Sequence, residues 1–233
     1  MLTLGIDTAT SRVSAAIADN GAVLGEVSLV GGRRHAEQLA PAIRYLCDEL
    51  GVSLTKMAAI AVDIGPGLFT GLRVGVTTAK VMARALRVPV VGIPSLDLVA
   101  YPLRHANRLV VAVLDARRHE VFSASYRPVP GGVQRVSEYA VWRPDELIAE
   151  LATGTDELLL AGDGLAAYRD EFVALDRAEF AGPDHAAPSV TALVELATAR
   201  VEREDFESPG EVRPLYLRTS DAEIVWDRER VGS

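Results

Sequence analysis

Cysteine and histidine are scarce in this sequence, and their scarcity excludes several kinds of site. Among 233 residues there are one cysteine, Cys47, and four histidines. A single cysteine excludes an internal disulfide and any metal site built from several thiolates. No histidine has another histidine three to five residues away, which is the spacing of helix-borne zinc ligands. We therefore predict no metal site and no bound cofactor.

Long apolar runs and targeting signals are also missing. No stretch approaches the roughly 18 consecutive apolar residues that a membrane-spanning helix needs. Residues 1–5 enter a strand pattern directly, without the basic region and cleavage site of a signal peptide. The composition, 49% apolar and 24% charged, is typical of globular domains. These features predict a cytoplasmic protein that does not associate with membranes.

Positive charge is in short supply, since 24 Lys and Arg face 32 Asp and Glu and the net charge is −8. Neutralisation of phosphates by basic side chains supplies most of the affinity of nucleic-acid binders. An acidic chain is therefore a poor candidate for binding nucleic acid alone. The short basic spots, Arg33-Arg34-His35 and Arg117-Arg118-His119, are typical of solvated loops.

Two parts of the sequence follow the same order of elements. The first part predicts strands at 2–7, 13–19, 23–30, 58–64 and 90–93, and helices at 35–50, 70–86 and 95–103. The second predicts strands at 109–115, 120–127, 133–141 and 158–161, and helices at 144–151 and 188–203. Three antiparallel strands followed by βα units make a mixed sheet with helices on its faces. The pattern indicates an α/β protein in which one such unit is duplicated.

The duplication predicts two domains, residues 1–104 and residues 105–233. The second unit includes the helix at 188–203, which we expect to close it, and a C-terminal tail. The tail after Phe206 is predicted to be irregular and partly mobile, apart from residues 213–218. Residues 220–233 carry no functional interpretation.

The helix at 70–86 has an unusual distribution of small residues. Gly65-Pro66-Gly67 breaks the chain before it, and Thr70 is expected to cap its N-terminus. Two stripes along the helix contain no charged residue. The first consists of Leu72, Val76, Ala79, Ala83 and Leu86, and the second consists of Gly71, Gly75, Thr78, Met82 and Ala85. Each interior glycine costs about 1 kcal/mol relative to alanine, so another backbone is expected to lie close. Tight packing within this chain and pairing with another protein both explain the pattern.

Two acidic residues, Asp7 and Asp115, end matching strands in the two halves. Such a pair, facing across a cleft, can hold a hydrated Mg²⁺ beneath the phosphates of a nucleotide. Thr8 and the turn formed by Gly162 and Asp163 would complete this possible nucleotide cleft. The structural alternative is that both acids cap turns. An ATP-dependent small-molecule phosphotransferase is therefore an alternative function, although Ala9 stands where close phosphate approach favours glycine.

Other enzyme signatures are not supported. Ser95 stands in Ile-Pro-Ser-Leu-Asp rather than in a Gly-x-Ser-x-Gly elbow, and it is expected to cap a helix. No Gly-x-Gly-x-x-Gly sequence follows the first strand, which disfavours a dinucleotide-binding site.

Four motifs carry a resemblance to the TsaB family. Asp7-Thr8-Ala9 matches the family's opening loop, and residues 65–75 match its helix motif, with Leu68 where serine is more usual. Residues 115–121 match its Asp-Ala-Arg-x-x-Glu-Val, and residues 214–218 match its Pro-x-Tyr-Leu-Arg. The motifs span nearly the whole chain, and the helix motif is the most specific of them.

The resemblance implies a fold and a role. The fold is the duplicated actin-like, sugar-kinase-like one (ASKHA, ribonuclease H-like), with two mixed sheets flanked by helices. The role is that of a scaffold subunit without catalytic residues, which activates TsaD for transfer of a threonylcarbamoyl group to the tRNA adenosine beside the anticodon. TsaD holds a metal through a His-x-x-x-His helix, and this chain has His35 and Leu39 at the comparable spacing.

The resemblance also implies partners. The helices of the first domain pack on those of TsaD, or on a second copy of the chain when TsaD is absent. TsaE, an ATPase, joins the pair, and tRNA is reached only through the complex. The residues expected at the partner interface are His35, Leu39, Ile43, Leu46, Thr70, Gly71, Gly75, Thr78 and Met82.

Overall fold

The first half of the chain forms a five-stranded mixed sheet. The computed structural model describes residues 1–30, 32 and 34–218. The strands of this sheet are β1 (Leu2–Asp7), β2 (Arg12–Asp19), β3 (Ala22–Val30), β4 (Ala59–Asp63) and β5 (Val90–Ile93). Their order is β3-β2-β1-β4-β5, with β1 antiparallel to β2 and parallel to β4. The β2–β3 turn uses Asn20 and Gly21, both at positive φ, as tight hairpins require.

The second half repeats this topology. Its strands are β6 (Leu109–Arg117), β7 (Glu120–Val129), β8 (Gly132–Arg135), β9 (Ala140–Trp142), β10 (Leu158–Ala161) and β11 (Ala178–Phe180). The order is β11-β10-β6-β7-β8, which is the first sheet's order read from the other edge. The predicted duplicated fold is therefore confirmed. The single strand predicted at 133–141 is wrong, because residues 136–139 leave the sheet and β8 and β9 pair separately with β7.

Helices cover both faces of the first sheet. The helices of the chain are α1 (His35–Leu50), α2 (Phe69–Leu86), α3 (Ser95–Ala100), α4 (Pro144–Thr153), α5 (Gly164–Phe172) and α6 (Val190–Glu202). α1 and α2 pack on one face, against Leu4 and Ile6 of β1. α6 packs on the other face, where Gly5 allows Val194 to lie close to the strand. Among the described residues, no helix is long and apolar enough to span a membrane.

α6 corrects one expectation, because it lies on the first sheet rather than closing the second half. A helical sequence pattern does not show which sheet the helix covers, and the position of this helix in the chain favoured the second half. α3 also joins the halves, since Leu98 packs with α6 while Leu96 and Val99 pack with the second sheet. The division into domains at residue 104 stays a prediction, because these two helices connect the halves.

A polar cluster also links the two halves. Asp97 of α3 accepts hydrogen bonds from the hydroxyl of Tyr126 on β7, at 2.7 Å, and from that of Tyr139, at 2.8 Å. The Arg135 guanidinium lies 4.1 Å from the centre of the Tyr139 ring. We call these residues the Asp97 cluster. It joins α3 of the first half to the second half through partly buried hydrogen bonds.

The segment 207–218, which we call the strap, returns from α6 across the first half. Its backbone pairs with Val90 through Glu207, and Leu215 N–H donates to the carbonyl of Ile64 at 2.7 Å. Its last described residue, Arg218, donates to the carbonyl of Ala116 in the second half at 3.0 Å. The prediction that the tail is irregular holds for its secondary structure, but the strap is anchored at both ends. Residues 220–233, which carry no functional interpretation, lie outside the described residues.

Candidate functional site

The loop between β1 and β2 is buried beneath the N-terminal half of α2. A Cβ atom on Gly71 would overlap the carbonyl oxygen of Thr8, and a Cβ on Gly75 would overlap the Thr8 hydroxyl. Gly67 is held in the same way by the Ala9 carbonyl. The backbone that the glycines admit is therefore the chain's own first loop, which decides between the two explanations of the glycine stripe.

Hydrogen bonds hold this loop closed. The Thr8 hydroxyl donates to the Gly71 carbonyl, and Leu68 N–H donates to the Ala9 carbonyl, both at 2.7 Å. The His35 ring donates from Nε2 to the Thr10 carbonyl, also at 2.7 Å. Thr8 is 1% exposed. The loop is thus part of the core and does not line an open phosphate site.

Two predicted helix caps are corrected here. α2 begins at Phe69 with Leu68 at the N-cap position, so Thr70 does not cap it. α3 begins at Ser95 with Pro94 at the N-cap, and the Ser95 hydroxyl instead donates to Asp63 Oδ1 at 2.6 Å. At the start of α3, the end of β4 therefore uses the hydroxyl group that was expected to cap the helix.

The partner of Asp7 is Asp63, not Asp115. Asp7 ends β1 and Asp63 ends β4, and the two strands are parallel neighbours. Both side chains are buried, at 0% and 1% exposure. Burial raises the pKa of Asp7 to about 6. Burial, and then the charge of Asp7, raise the pKa of Asp63 well above its usual range.

The second half places a pair of acids close to the ends of β6 and β10, with Asp115 two residues before the end of β6 and Asp163 two residues after the end of β10. Asp163 Oδ1 accepts a hydrogen bond from the backbone N–H of Asp115 at 2.9 Å. Arg117 lies 3.0 Å from Asp115 Oδ2 and supplies positive charge. Burial raises the pKa of Asp163. Gly162, at φ 120°, lets the β10 turn approach the Val113 carbonyl of β6.

The space between the first loop and the second acid pair is too small for a nucleotide. The cavity that Thr10, Gly67, Leu114, Asp115 and Asp163 line has a volume of about 10 Å³, which is room for about one water molecule. Asp7 is buried in the core and does not line this cavity, and a nucleotide cleft between Asp7 and Asp115 stays a prediction. Within the described ranges, no group of three or more His, Cys, Asp and Glu side chains could hold a metal ion.

Most of the residues expected at a partner interface are buried in this chain. His35, Leu39, Ile43 and Leu46 are 2–4% exposed, and Gly71 and Gly75 are buried against the first loop. Thr70, Thr78 and Met82 remain accessible. The apolar stripes that the sequence offered as a docking surface mark the core side of the helices. The six buried residues therefore support the surface from beneath and do not form it.

The outward side of α1 and α2 carries a different set. Val81 is 62% exposed and Tyr45 is 56% exposed. We call this surface the α1–α2 face, and it consists of Pro41, Arg44, Tyr45, Thr70, Thr77, Thr78, Val81 and Met82. The signal was in the sequence, because Pro41, Tyr45 and Val81 are apolar residues outside the core stripes. Single exposed apolar residues are common on protein surfaces, so sequence alone does not single them out.

An aromatic cluster borders this face at the start of α2. The Phe69 and Tyr216 rings lie 5.3 Å apart, and the Arg73 guanidinium lies 3.9 Å from the Phe69 ring centre. Phe69 is 37% exposed and Tyr216 is 44% exposed. A cavity of about 490 Å³ lies on the α1 side of Phe69, and one of about 400 Å³ lies between it, the β6–β7 turn and the strap. This cluster is not predictable from local sequence patterns, because it joins residues 69 and 216.

Comparison with known proteins gives one family match over most of the chain. The family model described as "TsaD: tRNA N6-adenosine threonylcarbamoyltransferase" matches residues 22–226. A curated relative, the tRNA threonylcarbamoyladenosine biosynthesis protein TsaB of Bacillus subtilis, is 30% identical over 97% of this chain and 98% of its own.

Solved structures agree with this match. YeaZ from Pseudomonas aeruginosa is 30% identical, with a TM-score of 0.80 over 93% of this chain and 99% of its own. The activator of the 2-hydroxyisocaproyl-CoA dehydratase from Clostridium difficile, solved with bound ADPNP, has a TM-score of 0.51 at 11% identity, over 93% of this chain and 100% of its own. At that identity the likeness shows the fold alone.

Proposed function

This chain belongs to the TsaB family, within the wider group that the TsaD family model describes, and on that premise we propose that it acts in tRNA threonylcarbamoyladenosine biosynthesis as a non-catalytic scaffold. Its partner is a TsaD-type transferase, which it activates for transfer of the threonylcarbamoyl group to the tRNA adenosine beside the anticodon. TsaE acts on the pair, and tRNA is bound through the complex in the cytoplasm.

The closed first loop is the observation that carries the scaffold role. In an active phosphotransferase, the loop after β1 must be open to the phosphates. In this chain the Thr8 hydroxyl donates a hydrogen bond to the Gly71 carbonyl, and the Ala9 carbonyl accepts one from Leu68 N–H. His35 is buried and bonded to Thr10, and Leu39 lies in the core. In this chain α1 therefore serves as a packing surface. The resemblance places the metal-binding helix of TsaD at the position that α1 occupies here.

The shared fold supports the choice of partner. Because the TsaD model matches residues 22–226, a TsaD-type transferase is expected to carry a similar pair of helices on its first sheet. Two such helix layers can pack face to face at the usual 8–10 Å between axes. A second copy of this chain offers the same geometry, so the homodimer uses the same surface when the transferase is absent.

Two substitutions, at positions of similar exposure, test whether the α1–α2 face binds the transferase. Val81 is on the α2 side of the α1–α2 face and is 62% exposed. Val173 follows α5 in the second half and is 59% exposed. We expect Val81→Arg to abolish co-elution with the transferase, while Val173→Arg leaves co-elution intact. Both variants should keep the melting temperature of the unmodified protein, since neither side chain is in the core.

The same variants test the function in cells. After depletion of this protein, threonylcarbamoyladenosine in bulk tRNA is measured by mass spectrometry. We expect the nucleoside to be lost and to be restored by the unmodified protein and by Val173→Arg, but not by Val81→Arg. An unchanged nucleoside level after depletion would overturn the role in this modification. Restoration by a Val81→Arg protein that no longer pairs would overturn the scaffold mechanism alone.

A further inference from the structure

Two buried carboxyl groups meet at the start of the first loop. Asp7 and Asp63 are the last residues of β1 and β4, and the residues before them, Ile6 and Val62, are paired in register. Neighbouring strands lie about 4.8 Å apart. The two side chains therefore sit side by side in a place that solvent does not reach.

Each carboxyl group has one satisfied and one unsatisfied oxygen. Asp7 Oδ1 accepts from Ala9 N–H at 2.8 Å. Asp63 Oδ1 accepts from Gly65 N–H at 2.8 Å and from the Ser95 hydroxyl at 2.6 Å. The Oδ2 atoms of both residues are buried and have no hydrogen-bond partner among the described residues. Two unpaired oxygens on adjacent anions would carry a large desolvation and repulsion penalty.

We propose that Asp63 is protonated on Oδ2 at neutral pH and donates this proton to Asp7 Oδ2, so that one structural proton clamps the β1–β2 loop to the turn that begins α2. One proton satisfies both orphan oxygens and removes one of the two charges. It also explains why neither acid needs a cation. The proposal concerns the chain's own stability and does not depend on the proposed function.

The surrounding groups decide which acid holds the proton. His35 of α1 and Arg12 of β2 act on Asp7, and both favour its ionised form. α3 contributes the neutral Ser95 hydroxyl, whose bond goes to Asp63 Oδ1. Burial raises the pKa of both acids, and the charge of Asp7 raises the pKa of Asp63 further. Asp7 is therefore the acceptor and Asp63 the donor.

The second half solves the same problem with an arginine. Asp115 and Asp163 lie close to the ends of β6 and β10. Asp163 accepts a hydrogen bond from the Asp115 backbone, and Arg117 contacts the Asp115 carboxyl group. The duplicated fold thus contains one acid pair held by a proton and one balanced by a cation. Asp163→Asn is accordingly a matched control for Asp63→Asn.

Infrared spectroscopy of the full-length protein tests the proton directly. At pH 7, a protonated carboxyl group gives a C=O stretching band that a carboxylate lacks. We expect the band to be present in the unmodified protein and in Asp163→Asn, and to be lost in Asp63→Asn. If Asp63→Asn fails to fold, Asp7→Asn serves in its place, because the loss of its carboxylate acceptor shifts the same band. A spectrum without a protonated carboxyl band at pH 7, or a band lost only in Asp163→Asn, would overturn the proposal.

The pH dependence of unfolding gives a second readout. A carboxyl group whose pKa is raised by folding stabilises the folded state fully below about pH 4 and loses that contribution as pH rises towards the folded pKa. The unfolding constant of the unmodified protein should rise, relative to that of Asp63→Asn, about tenfold per pH unit from about pH 4 to pH 7. A ratio that stays constant over this range would contradict a retained proton.

Discussion

Gly75 of α2 lies directly on Thr8 of the first loop, and a Cβ atom at position 75 would overlap the Thr8 hydroxyl oxygen. Glycines four residues apart on a helix resemble a motif for pairing with a second protein. In this chain Gly71 and Gly75 admit a loop of the same molecule, whose Thr8 hydroxyl is bonded to the Gly71 carbonyl. A large substitution at position 75 is therefore a test of folding and not a clean test of partner binding.

Gly75→Ala is expected to destabilise the protein by about 1–3 kcal/mol, the usual cost of overpacking a filled core. Gly71→Ala should cost more, because the obstacle there is a backbone carbonyl that cannot rotate away. Urea unfolding at neutral pH measures both. Gly182→Ala is the control, since a Cβ at that position meets no atom within 4 Å. If Gly75→Ala and the unmodified protein were equally stable, the β1–β2 loop would be able to move away from α2 without loss of stability.

Prediction from sequence succeeded where the signal was local and failed where it depended on which elements meet. The periodicity of residues 70–86 identified the buried positions of α2, because burial repeats with the helix turn. It did not identify the neighbour, and Gly75 was assigned to a partner. Asp7 was matched with Asp115 through the symmetry of the halves. The sheet order that places β4 beside β1 makes Asp63 its real neighbour.

The aromatic cluster at the start of α2 is expected to contribute to partner binding. Tyr216 is held in place by the anchored strap and contacts Phe69 and Arg73, so little ordering is needed on binding. Aromatic residues and arginine dominate interface hot spots. Tyr216→Ala should weaken binding of the transferase by about 2 kcal/mol, roughly thirtyfold, as measured by calorimetry.

Phe206→Ala is the matched control for that measurement, because Phe206 is also 44% exposed and lies near the C-terminal end of α2, whereas Tyr216 lies near its N-terminal end. It should leave the affinity unchanged. Equal losses in the two variants would indicate a general effect on the strap and would argue against a binding role for Tyr216.

Titration of the protein with Mg-ATP is expected to give no saturable heat. The first loop is hydrogen-bonded to α2, and the cavity that Asp115 and Asp163 line together has a volume of about 10 Å³, whereas small-molecule sites measure about 300–1,000 Å³. The cavity of about 400 Å³ beside Phe69 is also lined by Asp115, but no other acid of the two pairs lines it. Asp115→Asn should behave identically. Saturable heat in the unmodified protein that disappears in Asp115→Asn would instead favour the phosphotransferase and would require the halves to separate.

The Asp97 cluster predicts how firmly the halves are joined. Asp97 accepts two tyrosine hydroxyl bonds, and loss of one leaves a buried carboxylate short of a donor. Tyr126→Phe should therefore cost about 1–3 kcal/mol, and Tyr139→Phe should cost less, since Tyr139 is less buried. The double variant should cost less than the sum, because both bonds end on the same Asp97 oxygen. Tyr45→Phe is the control, because the Tyr45 side chain is exposed.

The cost of Tyr126→Phe should also depend on pH. Burial already raises the pKa of Asp97, while the bonds from Tyr126 and Tyr139 lower it. Removal of one bond raises the folded pKa further, and a raised pKa of an acid means stability that is lost as pH increases through it. The difference in unfolding free energy between the variant and the unmodified protein should therefore be larger at pH 8 than at pH 4. A difference that is equal at pH 4 and pH 8 would mean that Asp97 is uncharged when it accepts the hydrogen bond from Tyr126. The halves would then be joined by the packing of α3 and α6 rather than by the charge of Asp97.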